Sequence, residues 1–312
     1  MRVRYDITIT IFTTTAHTKI HLLTGMGRRL TGALLRDGHD VMATDISAEK
    51  LREVAKSDGW YDFKGRVSIQ TLDVTKRSQW ERAIGRICEE FSGIDVLMNI
   101  AGVLVPKKIQ DASFRDIDLH VDVMVKGVAI GTKIVADLMI QSKTKGHIIN
   151  VSSMAAVAPV SGVTMYACAK YAARGFSLAA SKDLAPHGIA VTCFMPDAVQ
   201  TPMVDLQLNY EGGAYAYSGK ILSLDDVTRS ILNNVLPNRP VEVWLSPRKS
   251  VVGCCGLGGM LAGVIHSSRL VKYEEQRMLQ IGLRRQCEIL KKKIDAVGRH
   301  GDEEKKKKKK GA

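Results

Sequence analysis

A serine, a tyrosine and a lysine near the middle of the chain have the types and spacing of a proton-transfer site. Ser153 precedes Tyr166 by thirteen residues, and Lys170 follows Tyr166 by four, so the tyrosine and lysine share one face if a helix runs through them. A phenol titrates near pH ~10 when unperturbed, and a neighbouring ammonium favours the phenolate. We expect Tyr166 to be a general acid or base, with Lys170 lowering its pKa and Ser153 orienting the substrate oxygen.

The tyrosine–lysine spacing alone carries little information, because many solvated helix faces contain it by chance. The apolar run over residues 146–153 adds to it, since it predicts a buried strand that ends at a serine. Ligands of parallel α/β folds lie at the carboxyl ends of such strands. Ser152 is the adjacent alternative, and the offset to Tyr166 favours Ser153.

A nucleotide-binding pattern lies about 140 residues before the tyrosine. Residues 20–25 predict a short strand and a glycine turn, and the leucine spacing that follows predicts a helix ending at Gly38. A second strand over residues 41–44 ends in Asp45, which lies 20 residues beyond Gly25. A carboxylate there accepts hydrogen bonds from the adenosine ribose and repels a 2′-phosphate, so NAD is favoured over NADP.

Together these motifs resemble the short-chain dehydrogenase/reductase family of NAD(P)-dependent oxidoreductases, over roughly residues 19–247. The resemblance implies an α/β fold: a doubly wound parallel sheet (Rossmann fold) in three α/β/α layers, with a C-terminal helical extension. It divides the chain into an N-terminal extension (1–18), the dehydrogenase domain (19–249), an apolar glycine-rich segment (250–268) and a basic helical and disordered tail (269–312).

Further residues match the positions at which the family holds its cofactor. They are Gly25 and Gly27 in the glycine turn, Asp73 and Val74 after the third strand, Asn99, Ala101 and Gly102 after the fourth, and Pro196, Val199 and Thr201 after the sixth, together with Asp45, Tyr166 and Lys170. The resemblance implies that Asp73 and Val74 contact the adenine. It also implies that the Val199 backbone and the Thr201 hydroxyl hold the nicotinamide carboxamide.

Two positions depart from the family's pattern. The glycine turn around Gly25 and Gly27 is shorter by about four residues, which leaves fewer N–H groups for a pyrophosphate. Met124 stands where the family has an asparagine of the proton relay, and a thioether cannot donate a hydrogen bond. The predicted function is an NAD(H)-dependent oxidoreductase interconverting a secondary or lipophilic alcohol and its carbonyl compound; the alternative is a catalytically impaired scaffold or a membrane-tethered interaction protein.

The charge and cysteine content limit the partners and the compartment. The net charge is +13, but residues 269–312 hold 15 Lys+Arg against 7 Asp+Glu, so +8 of it lies in the tail. The charge pattern therefore does not favour a nucleic-acid partner. The six cysteines have no metal-ligand spacing, and no metal site is expected. Without a secretory signal, the expected location is cytoplasmic.

The segment 250–268 leaves two alternatives open. It contains no Lys, Arg, Asp or Glu, and its length is marginal for a membrane span. It either associates with a membrane, which would place the chain on a cytosolic face such as that of the endoplasmic reticulum, or forms a glycine-rich loop that packs on the body or on a second subunit. The resemblance implies a homodimer or homotetramer, paired through the helices that carry Met124 and Tyr166.

Overall fold

A parallel sheet forms the centre of the protein. The computed structural model describes residues 6–10, 25–91, 93–158, 160–208, 210, 216–217, 219–247 and 280–292. In these residues, the sheet has seven strands in the order β3-β2-β1-β4-β5-β6-β7, and every neighbouring pair is parallel. The strands are β1 (Asp6–Thr10), β2 (Asp40–Asp45), β3 (Val67–Thr71), β4 (Val96–Asn99), β5 (His147–Val151), β6 (Ala190–Pro196) and β7 (Glu242–Leu245). This is the doubly wound order, so the predicted fold is confirmed.

The central strand lies earlier than the sequence predicts. Asp6–Thr10 pairs with both β2 and β4, although it falls in the segment assigned to an N-terminal extension. The expected strand at residues 20–25 lies outside the described residues except for Gly25. The two segments are hard to separate by pattern, because DITIT has four consecutive β-branched residues and is as good a strand former as IHLLT.

Helices cover both faces of the sheet. The helices are α1 (Met26–Asp37), α2 (Ala48–Ser57), α3 (Arg77–Glu90), α4 (Phe114–Val121), α5 (Gly127–Gln141), α6 (Thr164–Leu184), α7 (Pro202–Asp205), α8 (Leu224–Ser230), α9 (Leu236–Asn238) and α10 (280–292). A π-helical turn, Asp122–Lys126, joins α4 to α5, and another, Ile231–Val235, joins α8 to α9.

Alternating strand residues separate the core into two layers. Val41 and Ala43 pack with α1, α2 and α8, whereas Met42 between them packs with α3, α5 and α6. The same alternation follows from the two-residue side-chain period in β4 and β5. The three-layer arrangement therefore buries both faces of the sheet and leaves the carboxyl ends of its strands as a common edge.

Local signals fix where several helices begin and end. α1 ends at Gly38, whose φ of 100° is the left-handed conformation that glycine adopts without strain. Ser223 begins α8 with a capping box in which Asp226 returns the hydrogen bond, as its sequence position predicts.

In the described parts of the chain, no helix has both the length and the apolar character needed to cross a membrane. The segment 250–268 lies outside those parts.

Candidate active site

Tyr166 and Lys170 lie on the first two turns of α6, beside the carboxyl end of β5. The Lys170 ammonium donates a hydrogen bond to the carbonyl oxygen of Val151, the last residue of β5, at 2.9 Å. Its Nζ lies 5.5 Å from the centroid of the Tyr166 ring. Lys170 is only 4% exposed, and this burial lowers its pKa to about 8. In the described part of the chain this is the only hydrogen bond that the ammonium makes, so two of its N–H donors remain for a ligand.

Ser153 is the serine that interacts with the tyrosine. Its hydroxyl acts to lower the pKa of Tyr166, and its Oγ accepts a bond from the Ala155 N–H at 3.2 Å. Ser152 has a different role, because its buried hydroxyl donates to the Lys170 carbonyl oxygen at 2.8 Å. Ser152 therefore fixes α6 against β5, and Ser153 stays beside the phenol.

The pKa of Tyr166 is raised in the structure, whereas the sequence predicts that it is lowered. Burial raises the pKa of Tyr166 above its usual value, because an apolar environment disfavours the phenolate, and the hydrogen bond with Ser153 offsets this only in part. Tyr166 is thus protonated near neutral pH and is arranged as a proton donor.

Cys193 is a neighbour of Lys170 that the sequence analysis missed. It lies in β6, is fully buried, and burial raises its pKa to about 12. The thiol therefore stays neutral next to the ammonium. No local motif marks Cys193, since its proximity to Lys170 depends on the pairing of β5 with β6.

Asn99 supports the sheet beneath the site. Its amide nitrogen donates to Asn150 Oδ1 at 2.8 Å and to Thr132 Oγ1 at 3.3 Å, and the Asn150 amide donates to Ser177 Oγ at 3.0 Å. This buried network ties β4 and β5 to α5 and α6. A methyl group on Gly131 of α5 would lie 2.9 Å from Asn99 Oδ1, so the close approach requires glycine.

Met124 occupies the π-helical turn at the start of α5. It is buried, and its Sδ lies 3.8 Å from the point where a Cβ on Gly102 would be. π-turns inside helices are frequent at functional sites. The thioether stands where the sequence resemblance places a relay asparagine, and it offers no donor.

Asp45 lies at the carboxyl end of β2, on the same edge as Ser153 and Tyr166. It is fully buried, and its Oδ1 accepts a hydrogen bond from the Ser47 N–H at 2.8 Å.

Asp73 and Val74 follow β3, the strand next to β2 in the sheet. Asp73 Oδ1 accepts bonds from the N–H and hydroxyl of Thr75, while Val74 is a core residue whose carbonyl oxygen accepts from Trp80 Nε1 at 3.0 Å.

The remaining predicted positions also follow the carboxyl ends of strands. Ala101 and Gly102 are buried after β4. Pro196 ends β6, and Val199 forms a parallel bridge with Leu222. Thr201 begins α7, with Pro202 in the first turn.

These residues fit a dinucleotide at both of its ends. The Asp45 carboxylate is an acceptor suited to ribose hydroxyls, and Lys170 offers its two remaining donors near the tyrosine. α1 begins at Gly25 with no side-chain cap, and its first helical hydrogen bond is donated by the Arg29 N–H. The earlier N–H groups of that turn suit a pyrophosphate.

Residues 22–210 match the family described as short chain dehydrogenase, a match that begins after β1. Cyclopentanol dehydrogenase from Comamonas sp. (strain NCIMB 9872) is 33% identical over 212 residues, 65% of this chain and 82% of that protein. A 3-alpha-(or 20-beta)-hydroxysteroid dehydrogenase from Mycobacterium bovis is 32% identical over 181 residues, 58% of this chain and 67% of that protein. A solved short chain dehydrogenase from Bacillus anthracis has a TM-score of 0.64 at 19% identity, covering 77% of this chain and 95% of that one.

Proposed function

The chain belongs to the short-chain dehydrogenase family, and from that premise we propose that it is an NAD(H)-dependent oxidoreductase interconverting a secondary or lipophilic alcohol and its carbonyl compound. The observation that carries this proposal is the convergence of Ser153, Tyr166 and Lys170 at the carboxyl end of β5. NAD(H), when bound, supplies the hydride acceptor or donor.

In the reductive direction, Tyr166 gives its phenolic proton to the oxygen of the carbonyl group as that oxygen gains negative charge. Its raised pKa keeps the proton available at neutral pH. Lys170 stabilises the phenolate that remains, because its ammonium lies beside the ring. Ser153 donates a hydrogen bond to the same substrate oxygen and so orients it toward the phenol. In the oxidative direction, Tyr166 must first lose its proton, which favours higher pH.

Relatives support the substrate class. Cyclopentanol is a secondary alcohol, and hydroxysteroids are lipophilic secondary alcohols; both are named substrates of proteins that are similar to this chain. One tyrosine of the segment after α7 does not serve the substrate: Tyr217 is buried, and its hydroxyl donates to the Val204 carbonyl oxygen at 2.7 Å. A purified chain tested with secondary alcohols and NAD would establish turnover.

A catalytically impaired scaffold is the second candidate. The buried Met124 favours it, because the position beside Gly102 lacks a hydrogen-bonding side chain. Fluorescence titration with NADH separates the two candidates: saturable binding supports the oxidoreductase, and a failure to saturate supports the scaffold. For either candidate we propose a cytoplasmic chain that forms a homodimer or homotetramer through α5 and α6.

The two neighbouring serines give the first prediction. Ser153→Ala is expected to lower kcat by about 10²-fold, because the substrate oxygen loses a donor aimed at it. Ser152→Ala is expected to leave kcat within a few-fold and to lower the free energy of unfolding by about 0.5–1.5 kcal/mol, since it removes one buried hydrogen bond while the Lys170 carbonyl keeps its donor within α6. Steady-state kinetics and urea unfolding of both variants test this. The reverse pattern would assign the catalytic role to Ser152.

Cofactor preference gives the second prediction. Asp45→Asn keeps the side-chain shape but removes the charge that repels a 2′-phosphate. We expect the ratio of kcat/KM for NAD to that for NADP to fall by about 10²-fold. The exposed Asp62→Asn is the matched control and should leave the ratio unchanged. An unaltered ratio in Asp45→Asn would mean that Asp45 does not select the cofactor.

A further inference from the structure

The segment that follows β6, residues 197–222, lies over the carboxyl edge of the sheet where it is described. Its first helix is α7, immediately after Thr201. Met203 reaches across to the end of β4, where its Cε lies 3.6 Å from the point at which a Cβ on Gly102 would be. The segment returns to the edge through the bridge between Val199 and Leu222. Its described residues therefore lie at the carboxyl edge of the sheet, the edge that also carries Ser153 and Tyr166.

α10, which lies outside the part of the chain that matches the family, packs against this segment. Val204, Leu208 and Tyr217 form a small apolar cluster, and Ile289 and Leu290 of α10 contact it. The segment thus has its own core, separate from the two layers that flank the sheet, and α10 completes that core.

Gln286 of α10 makes two hydrogen bonds to the backbone of the segment. Its amide nitrogen donates to the carbonyl oxygen of Gln207 at 2.8 Å and to that of Tyr210 at 3.1 Å. The side chain is 4% exposed. An amide NH₂ group has two N–H donors, so one glutamine satisfies both carbonyls.

The preceding residue, Arg285, binds the later part of the same segment, at Tyr217 and Gly219. Its Nη1 donates to the carbonyl oxygen of Gly219 at 2.8 Å and to that of Tyr217 at 3.3 Å. Two adjacent side chains of α10 therefore bind four carbonyls of the segment: Gln286 binds two in its earlier part and Arg285 two in its later part. Together they fix the distance between these two parts.

We infer that Gln286 is a positioning residue for the substrate: through α10 it holds the segment after β6 in the conformation that binds the alcohol or ketone. The inference rests on the proposed function. Its physical basis is that the Gln286 amide supplies two part-buried hydrogen bonds that tie the segment to α10. Without them the Gln207 carbonyl keeps only the Tyr210 N–H, and conformations in which the Tyr210 carbonyl turns to water are favoured. Those conformations displace α7 from the edge of the sheet, whereas β5 and α6 keep their own hydrogen bonds.

The test uses Gln286→Met in the full chain, a change that keeps the length and volume of the side chain but removes its donors. KM for a secondary alcohol such as cyclopentanol is expected to rise about tenfold, with kcat within about twofold and the Kd for NADH unchanged. Hydrogen exchange at residues 204–208 is expected to become faster, while exchange in β5 and α6 stays as in the parent. The control is Glu288→Gln, an exposed change on the same helix that should alter none of these.

KM and hydrogen exchange at residues 204–208 together separate this inference from the proposed function. Faster exchange at residues 204–208 with unchanged KM would overturn the positioning role. Unchanged exchange would overturn the inference whatever the kinetics. If the parent chain has no oxidoreductase activity, the proposed function fails, and the substrate role of Gln286 fails with it even where exchange becomes faster.

Discussion

Tyr166→Phe is expected to lower kcat for alcohol oxidation and for carbonyl reduction by about 10²–10⁴-fold, the usual contribution of a positioned general acid or base. Phenylalanine keeps the ring that packs against the layer formed by α3, α5 and α6, so folding should be preserved. NADH affinity should change little, because the Asp45 carboxylate and the Lys170 ammonium remain. Steady-state kinetics together with fluorescence titration of NADH measure both effects.

Tyr171→Phe is the matched control for this variant. Tyr171 lies on the same helix but is 41% exposed, and the loss of its hydroxyl should leave kcat within about twofold. Equal turnover in Tyr166→Phe and the parent would remove the phenol from the mechanism.

Lys170→Met is the second large prediction. The variant removes the only ammonium that lies over the Tyr166 ring in the described residues, so the phenolate loses its stabilising charge and kcat should fall by at least about 10²-fold. The variant also removes a titrating group, and this gives a readout that does not depend on activity.

The pKa of Lys170 is about 8 in the folded protein against an ordinary 10.5. Between these values the unfolded chain binds more protons than the folded one, so the free energy of unfolding rises with pH from about 8 to about 10.5, by up to about 3 kcal/mol. Lys170→Met should lack this rise, and the exposed Lys182→Met on the same helix should keep it. Urea unfolding at the two ends of this window measures the difference. If Lys170→Met and the parent rise in parallel, the lysine is not buried as the structure has it.

Short-range patterns predict much of the site. The four-residue step from Tyr166 to Lys170 becomes one face of α6, and the strand before Ser153 ends where the apolar run ends. Ser223 begins a helix because a serine followed three residues later by Asp226 forms a reciprocal cap. Each of these features depends on residues that are close in sequence, and the sequence therefore contains enough information to predict them.

Features that depend on distant residues were missed or predicted wrongly. The raised pKa of Tyr166 results from the apolar surroundings of its partly buried phenol, which no motif encodes. Cys193 approaches Lys170 through strand pairing, and Gln286 reaches Gln207 across 79 positions of the chain. The short β-branched run Asp6–Thr10 is compatible with an extension or with the central strand, and only its pairing with β2 and β4 distinguishes the two.

The pH dependence of alcohol oxidation tests the central claim most directly. With NAD and a saturating secondary alcohol, kcat of the parent chain measured from about pH 6 to about pH 8 should rise by about tenfold per pH unit, because Tyr166 is protonated in this range and the reaction requires its phenolate. The residual kcat of Tyr166→Phe should not follow this slope. An identical pH profile in the parent and in Tyr166→Phe would contradict the assignment of Tyr166 as the group that carries the proton.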